Sequence, residues 1–184
     1  MIWRNIENIA PRTFVCGFCR NLVGSGRGYY TDNSSPKDIS VHLCPYCYRP
    51  SLFIEGKQYP GISPGSPVLK LPKDIDSLYE EARMATAAGA YTSAVLTCRK
   101  LLMNVAVSQG AAENLSFYSY VEHLSQKGYI PPNGKGWVDH IRKRGNEATH
   151  EIVLMSQSDA EELITFSEML LKFIFEFPSR VPQK

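Results

Sequence analysis

A chain of 184 residues with 43% apolar content is long enough to bury a core, and a formal net charge of +2 is too small to suggest a general polyanion binder, so any nucleic-acid contact must come from local patches. No run approaches the ~20 apolar residues that span a bilayer, and the start, Met1-Ile-Trp-Arg-Asn-Ile-Glu, lacks the basic-then-apolar pattern of a secretory leader, so a cytoplasmic location without membrane contact is expected. The basic excess is N-terminal: residues 1–70 hold eight Lys/Arg against four Asp/Glu, and residues 71–184 hold twelve against fourteen.

Residues 1–58 are rich in Gly, Pro, Ser and Tyr, with short β-prone runs at Arg12-Thr-Phe-Val15, Ser40-Val-His-Leu43 and Ser51-Leu-Phe-Ile54, each beside a turn or a cysteine pair. They read as a small β module. Residues 59–72 carry four prolines and two glycines without helical periodicity and read as an extended linker. From residue 73 to 184 the pattern is helical. The first helix starts near Asp74 or Asp76, or at a capping box Ser77-x-x-Glu80, and runs to about Gly89. A second spans about Tyr91 to Gln109, with Val95, Leu96, Leu101, Leu102, Val105 and Ala106 as its apolar stripe and Gly110 as its stop. A third runs from about Ser116 to Lys127, and a fourth from near Trp137 into a segment that Gly145-Asn146 should bend. The last starts at a capping box Ser158-Asp-Ala-Glu161 and reaches Phe177, with Leu163, Leu170, Phe173, Ile174 and Phe177 as the expected buried face. The fold class expected is therefore α with a small β zinc ribbon: a bundle of four to five helices C-terminal to the ribbon.

The ribbon assignment rests on the cysteines. Cys16-Gly-Phe-Cys19 and Cys44-Pro-Tyr-Cys47 are two C-x-x-C knuckles 24 residues apart, which supplies four soft thiolates to one tetrahedral ion. Iron is the main competitor of zinc, and two disulfides are the alternative. A C-x-x-C pair without a thioredoxin-like βαβ pattern fits structural zinc better. Four thiolates and a divalent ion would lower the N-terminal excess from +4 to about +2. Four thiolates also leave no open coordination position, which excludes a zinc-dependent hydrolase. Around the knuckles, Tyr29, Tyr30, Tyr46, Tyr48, Arg20, Arg27 and Arg49 either form a surface that stacks bases or cover and dock the ribbon. Cys98, inside the second helix, reads as a small core residue.

The other concentration of chemistry is His140-Ile-Arg-Lys-Arg-Gly-Asn-Glu-Ala-Thr-His150, where strong donors and an imidazole gather near a helix break. By spacing alone, Arg144 can simply pair with Glu147 while His150 solvates a helix end. The wider context is more specific. Leu71-Pro-Lys-Asp, Leu78-Tyr-Glu-Glu-Ala82, Ala94-Val-Leu-Thr-Cys-Arg-Lys-Leu-Leu102 and Ile141-Arg-Lys-Arg-Gly-Asn-Glu-Ala-Thr-His150 together resemble a widespread uncharacterised bacterial domain of the HEPN superfamily, over residues 71 to 177.

That resemblance implies a helical bundle, a homodimer, and often a defence, toxin or restriction context. Active HEPN proteins are metal-independent endoribonucleases with an Arg, four to six residues, then His. Here Arg144 and His150 match the spacing, with Asn146 as the polar residue and Arg142 and Lys143 as candidate nucleic-acid contacts. The departure is Gly145 directly after Arg144, where the family pattern commonly has a polar residue. Two readings follow: an RNA-cleaving dimer, or a non-catalytic HEPN-like module binding nucleic acid or protein, within a larger protein complex in either case if its partners require one.

Overall fold

The computed structural model describes residues 2–31, 38–130, 136, 139, 143 and 154–181. The chain divides into two compact units, Met1–Ser63 and Pro64–Lys184. The boundary falls within the proline-rich 59–72 stretch, and each unit has its own hydrophobic core.

The first unit is one antiparallel sheet in which strands neighbour each other in chain order: β1 (Glu7–Val15), β2 (Leu22–Tyr30), β3 (Ile39–Leu43), β4 (Pro50–Ile54) and β5 (Lys57–Tyr59). The three β-prone runs lie in β1, β3 and β4. The strand β2 carries glycine at 24, 26 and 28, which reads locally as loop, yet it pairs with both β1 and β3. The reason is at Gly28. A Cβ there would lie 1.8 Å from the carbonyl oxygen of Val41, so only glycine lets β3 close against β2. The short β5 is created by its turn: Glu55 and Gly56 both have positive φ, and Ile54 pairs with Lys57 across them. After β5 the chain passes so near the first knuckle that a Cβ on Gly17 would meet the carbonyl oxygen of Pro60 at 2.4 Å.

The core of this unit is small. Phe14, Val23 and Phe53 are buried together with Cys16 and Cys44. Phe14, Phe53 and His42 meet edge to face, with the Phe14 and Phe53 centroids 5.2 Å apart, and the guanidinium of Arg12 covers Phe53 at 4.4 Å.

The second unit contains α1 (Lys73–Ala87), α2 (Tyr91–Ser108), α3 (Phe117–Gln126) and α4 (Gln157–Leu171), the last continuing through a π-helical turn, Lys172–Glu176, into a final turn, Phe177–Arg180. Gly136, Asp139 and Lys143 are helical too, in the stretch where a helix is expected from Trp137. The central helix is α2, whose Ala94, Val95, Cys98, Leu101, Leu102, Val105 and Ala106 are buried. Leu96, assigned to that stripe from sequence, lies one step off it and is exposed, while Cys98 takes the interior position.

Three helix signals differ from the sequence reading. Ser77 and Glu80 lie inside α1, which starts at Lys73 after Pro72 without a side-chain cap and with Asp74 and Asp76 in its first turn. The capping box of α4 is Ser156 with Asp159, two residues earlier than Ser158 with Glu161: the Asp159 amide donates to the Ser156 hydroxyl at 3.2 Å, and the Ser156 amide to the Asp159 carboxylate at 2.8 Å. Finally, Phe173 and Phe177 are exposed rather than buried, stacked edge to face 5.4 Å apart. The π turn, Lys172–Glu176, departs from the 3.6-residue period on which that expectation rested, and along it and just after it Phe173 and Phe177 are exposed while Glu176 is buried.

Candidate metal centre

Each cysteine knuckle is built by the same local geometry. In the first, Cys16 accepts from the amide of Arg20 at 2.8 Å and donates its own amide to the carbonyl of Asn21 at 3.0 Å. In the second, Cys44 accepts from the amide of Tyr48 at 2.9 Å and donates to the carbonyl of Arg49 at 3.0 Å. Arg20 and Tyr48, each following the second cysteine of its pair, take matching left-handed φ values of 61° and 59°. The two turns are thus near copies, one after β1 and one after β3, and the sheet holds them face to face.

All four sulfurs come together. Cys16 Sγ lies 3.7 Å from Cys47 Sγ, Cys19 Sγ lies 3.7 Å from Cys44 Sγ, and all four are within 4.8 Å of one another, an arrangement that can hold a metal ion. Cys16 and Cys44 are buried, and Cys19 and Cys47 are half-buried. The thiols respond unequally to this crowding. Burial pushes Cys47 up to about 12 and raises Cys16 as well. At Cys19 burial also pushes upward, but hydrogen bonds from the Asn21 amide and the neighbouring sulfurs bring it down to about 7. The side-chain amide of Asn21 donates to Cys19 Sγ at 3.6 Å. A cation among the sulfurs would relieve their mutual repulsion and favour the thiolate at every position. Cys98 stands apart, wholly buried in the helical unit, its thiol pushed up to about 12 by burial.

The tyrosines around the knuckles divide. Tyr29 is half-buried and donates to the carbonyl of Arg4. Tyr30, Tyr46 and Tyr48 are exposed, Arg49 covers the exposed Phe18 ring at 5.1 Å, and Arg27 is exposed. Sequence reading passed over Trp3, whose indole Nε1 donates to the carbonyl of Tyr48 at 2.8 Å and so fastens the N-terminal segment to the second knuckle.

Of the Arg/His segment, Lys143 is helical and exposed. Arg142, Arg144, Asn146 and His150 lie outside the described residues. Among the described residues, no helix is long and apolar enough to cross a membrane.

Residues 80–184 match the model of a family described as Domain of unknown function (DUF4145), a range that starts within α1 and leaves the cysteine-bearing sheet outside it. No curated protein and no solved structure matches the chain.

Proposed function

The chain belongs to the family described as Domain of unknown function (DUF4145), and from that premise we propose that it is a zinc-ribbon protein whose HEPN-like helical unit cleaves RNA without a catalytic metal.

The zinc assignment rests on one observation, the 3.7 Å separations of Cys16 from Cys47 and of Cys19 from Cys44. A tetrahedral zinc with sulfurs at about 2.3 Å holds them about 3.8 Å apart, close to these two separations. Cys16, Cys19, Cys44 and Cys47 would hold it, and its contribution is structural, tying together a sheet whose buried core is only a few residues. One zinc per chain is expected by elemental analysis of protein purified under reducing conditions. Cys44→Ser should lose the ion and unfold the sheet while the helices keep their circular dichroism. Stoichiometric iron, or no metal, would overturn the assignment.

For the helical unit, the support is the segment Arg142-Lys-Arg-Gly-Asn-Glu-Ala-Thr-His150, which falls between α3 and α4 in a unit built from helices. An imidazole ordinarily changes charge close to neutral pH, the property a general base for RNA needs, and in this reading His150 takes the proton of a ribose 2′-hydroxyl. The 2′-oxygen then attacks phosphorus, the 5′-oxygen leaves and is protonated, and a 2′,3′-cyclic phosphate remains. Arg144 grips the phosphate and stabilises its growing charge, Asn146 orients one of the two, and Arg142 and Lys143 contact flanking phosphates. One histidine per chain leaves the acid and base roles unshared. A homodimer that pairs two Arg/His sets supplies both, and the exposed Phe173 and Phe177 offer apolar surface for its assembly. Incubation of the pure protein with mixed RNA in EDTA is the test. Intact RNA at high protein concentration, with RNA or a protein still bound through the same segment, would replace this reading by that of a non-catalytic binding module.

A further inference from the structure

Beside the second knuckle lies a cavity of about 520 Å³, between the N-terminal segment and β2, lined by Trp3, Gly24, Arg27, Pro45 and Tyr48 among others. Its volume is within the range of small-ligand sites. Two aromatic side chains border it. Trp3 is held in place through its indole hydrogen bond to the Tyr48 carbonyl, and Tyr48 is 61% exposed.

At Gly24 the cavity wall carries no side chain. This glycine has no positive φ, and a Cβ built on it would meet nothing within 4 Å. Neither backbone conformation nor packing therefore requires glycine there, although glycine in a strand weakens it. Gly28, four residues on in the same strand, is the contrast, since β3 leaves it no room. An unrequired glycine in a cavity wall fits a flat occupant that comes close to the backbone.

Charge narrows the class of occupant. Among the described residues that line the cavity there is no carboxylate; Arg27 brings a guanidinium to it, Cys44 of the metal site borders it, and no carboxylate among the described residues pairs with Arg27. Aromatic side chains beside a guanidinium match a base and its phosphate, the combination by which single strands are bound.

We infer that this cavity binds an unpaired nucleotide of RNA, the base stacking on Trp3 and Tyr48 against the Gly24 wall and the phosphate meeting Arg27. The inference depends on the ribbon fold and on RNA as the ligand, and not on cleavage by the helical unit.

The full chain with Trp137→Phe, which leaves Trp3 as the single tryptophan, provides the readout. Titration with oligouridylate should quench Trp3 fluorescence. Gly24→Val, which suits a strand and adds a side chain to the bare wall, should weaken binding roughly tenfold or more with no loss of thermal stability. Arg27→Gln should lower the salt dependence of binding. His150→Ala should leave the quenching unchanged, which separates this site from the cleavage reading. Unchanged affinity in a folded Gly24→Val variant would overturn the inference. So would quenching by a proline-rich peptide or by oligothymidylate but not by oligouridylate.

Discussion

Arg83, wholly buried on α1, donates through Nε to the carbonyl of Pro64 at 2.8 Å. It also donates to the carbonyl of Gly65 at 2.9 Å and pairs with Glu80. The stretch they hold is clamped further along. Tyr79 donates to the Ser66 carbonyl at 3.0 Å, the Ser66 amide donates to Glu168 at 2.9 Å, the Leu69 amide donates to Glu176 at 3.0 Å, and Val68 is buried. The part of the proline-rich stretch from Pro64 onward is therefore a strap fastened to the helices.

Removing the clamp should weaken the helical unit. Arg83→Met keeps most of the hydrocarbon volume but leaves two carbonyls without their donor, and hydrogen bonds from a charged group are worth about 1.5–3 kcal/mol each. A loss of roughly 3 kcal/mol is expected as a lower urea midpoint for loss of helical circular dichroism. A midpoint equal to that of the wild type would mean that the strap adds nothing to stability.

Glu168 makes the strap sensitive to acid. Desolvation pushes its carboxyl upward, but the hydrogen bond and charge of Lys172 and the Ser66 amide outweigh this and hold it below its ordinary value of 4.5. A carboxyl depressed in the folded state contributes stability that is complete above its unfolded value and lost as pH falls through the folded one. The stability gap between wild type and Glu168→Gln should thus be widest near neutrality and shrink below about pH 4.5. Urea midpoints of both proteins across that range would check it, and a constant gap would refute it.

What the residues disclosed follows from how local their signals are. The C-x-x-C knuckles and the stripe of α2 were legible because three- and four-residue spacings determine them. The strand β2 was not, because its glycines serve a contact with Val41 that is distant in sequence. Nor was the outward turn of Phe173 and Phe177, since a π turn breaks the periodicity from which their burial was inferred. The strap was hidden for the same reason as β2. Its partners Glu168 and Glu176 lie about a hundred residues away along the chain.

Gly28 and Gly24 should therefore behave oppositely. Gly28→Ala places a methyl group 1.8 Å from the Val41 carbonyl oxygen and should separate β2 from β3, unfolding the sheet and releasing its metal while the helices persist. Gly24→Val should be neutral or stabilising. Metal content and thermal melts of the two variants provide the comparison, and a folded, metal-loaded Gly28→Ala protein would contradict the close packing of the two strands.

Product chemistry decides the proposed cleavage. His150→Ala should abolish it with the helical circular dichroism unchanged, because the role assigned to this imidazole is proton transfer rather than packing. Arg144→Lys should fail as well, since a point charge cannot reproduce the planar, two-donor grip on phosphate. Cleavage by the wild type should continue in EDTA and leave 2′,3′-cyclic phosphate ends, and replacing the ribose 2′-hydroxyl by hydrogen should block it, because that oxygen is the nucleophile. A product with a 5′-phosphate would exclude internal attack and with it the role given to His150. Activity retained in His150→Ala would assign any cleavage seen to another residue or to a contaminant, and the segment from Arg142 to His150 would then be a binding surface only.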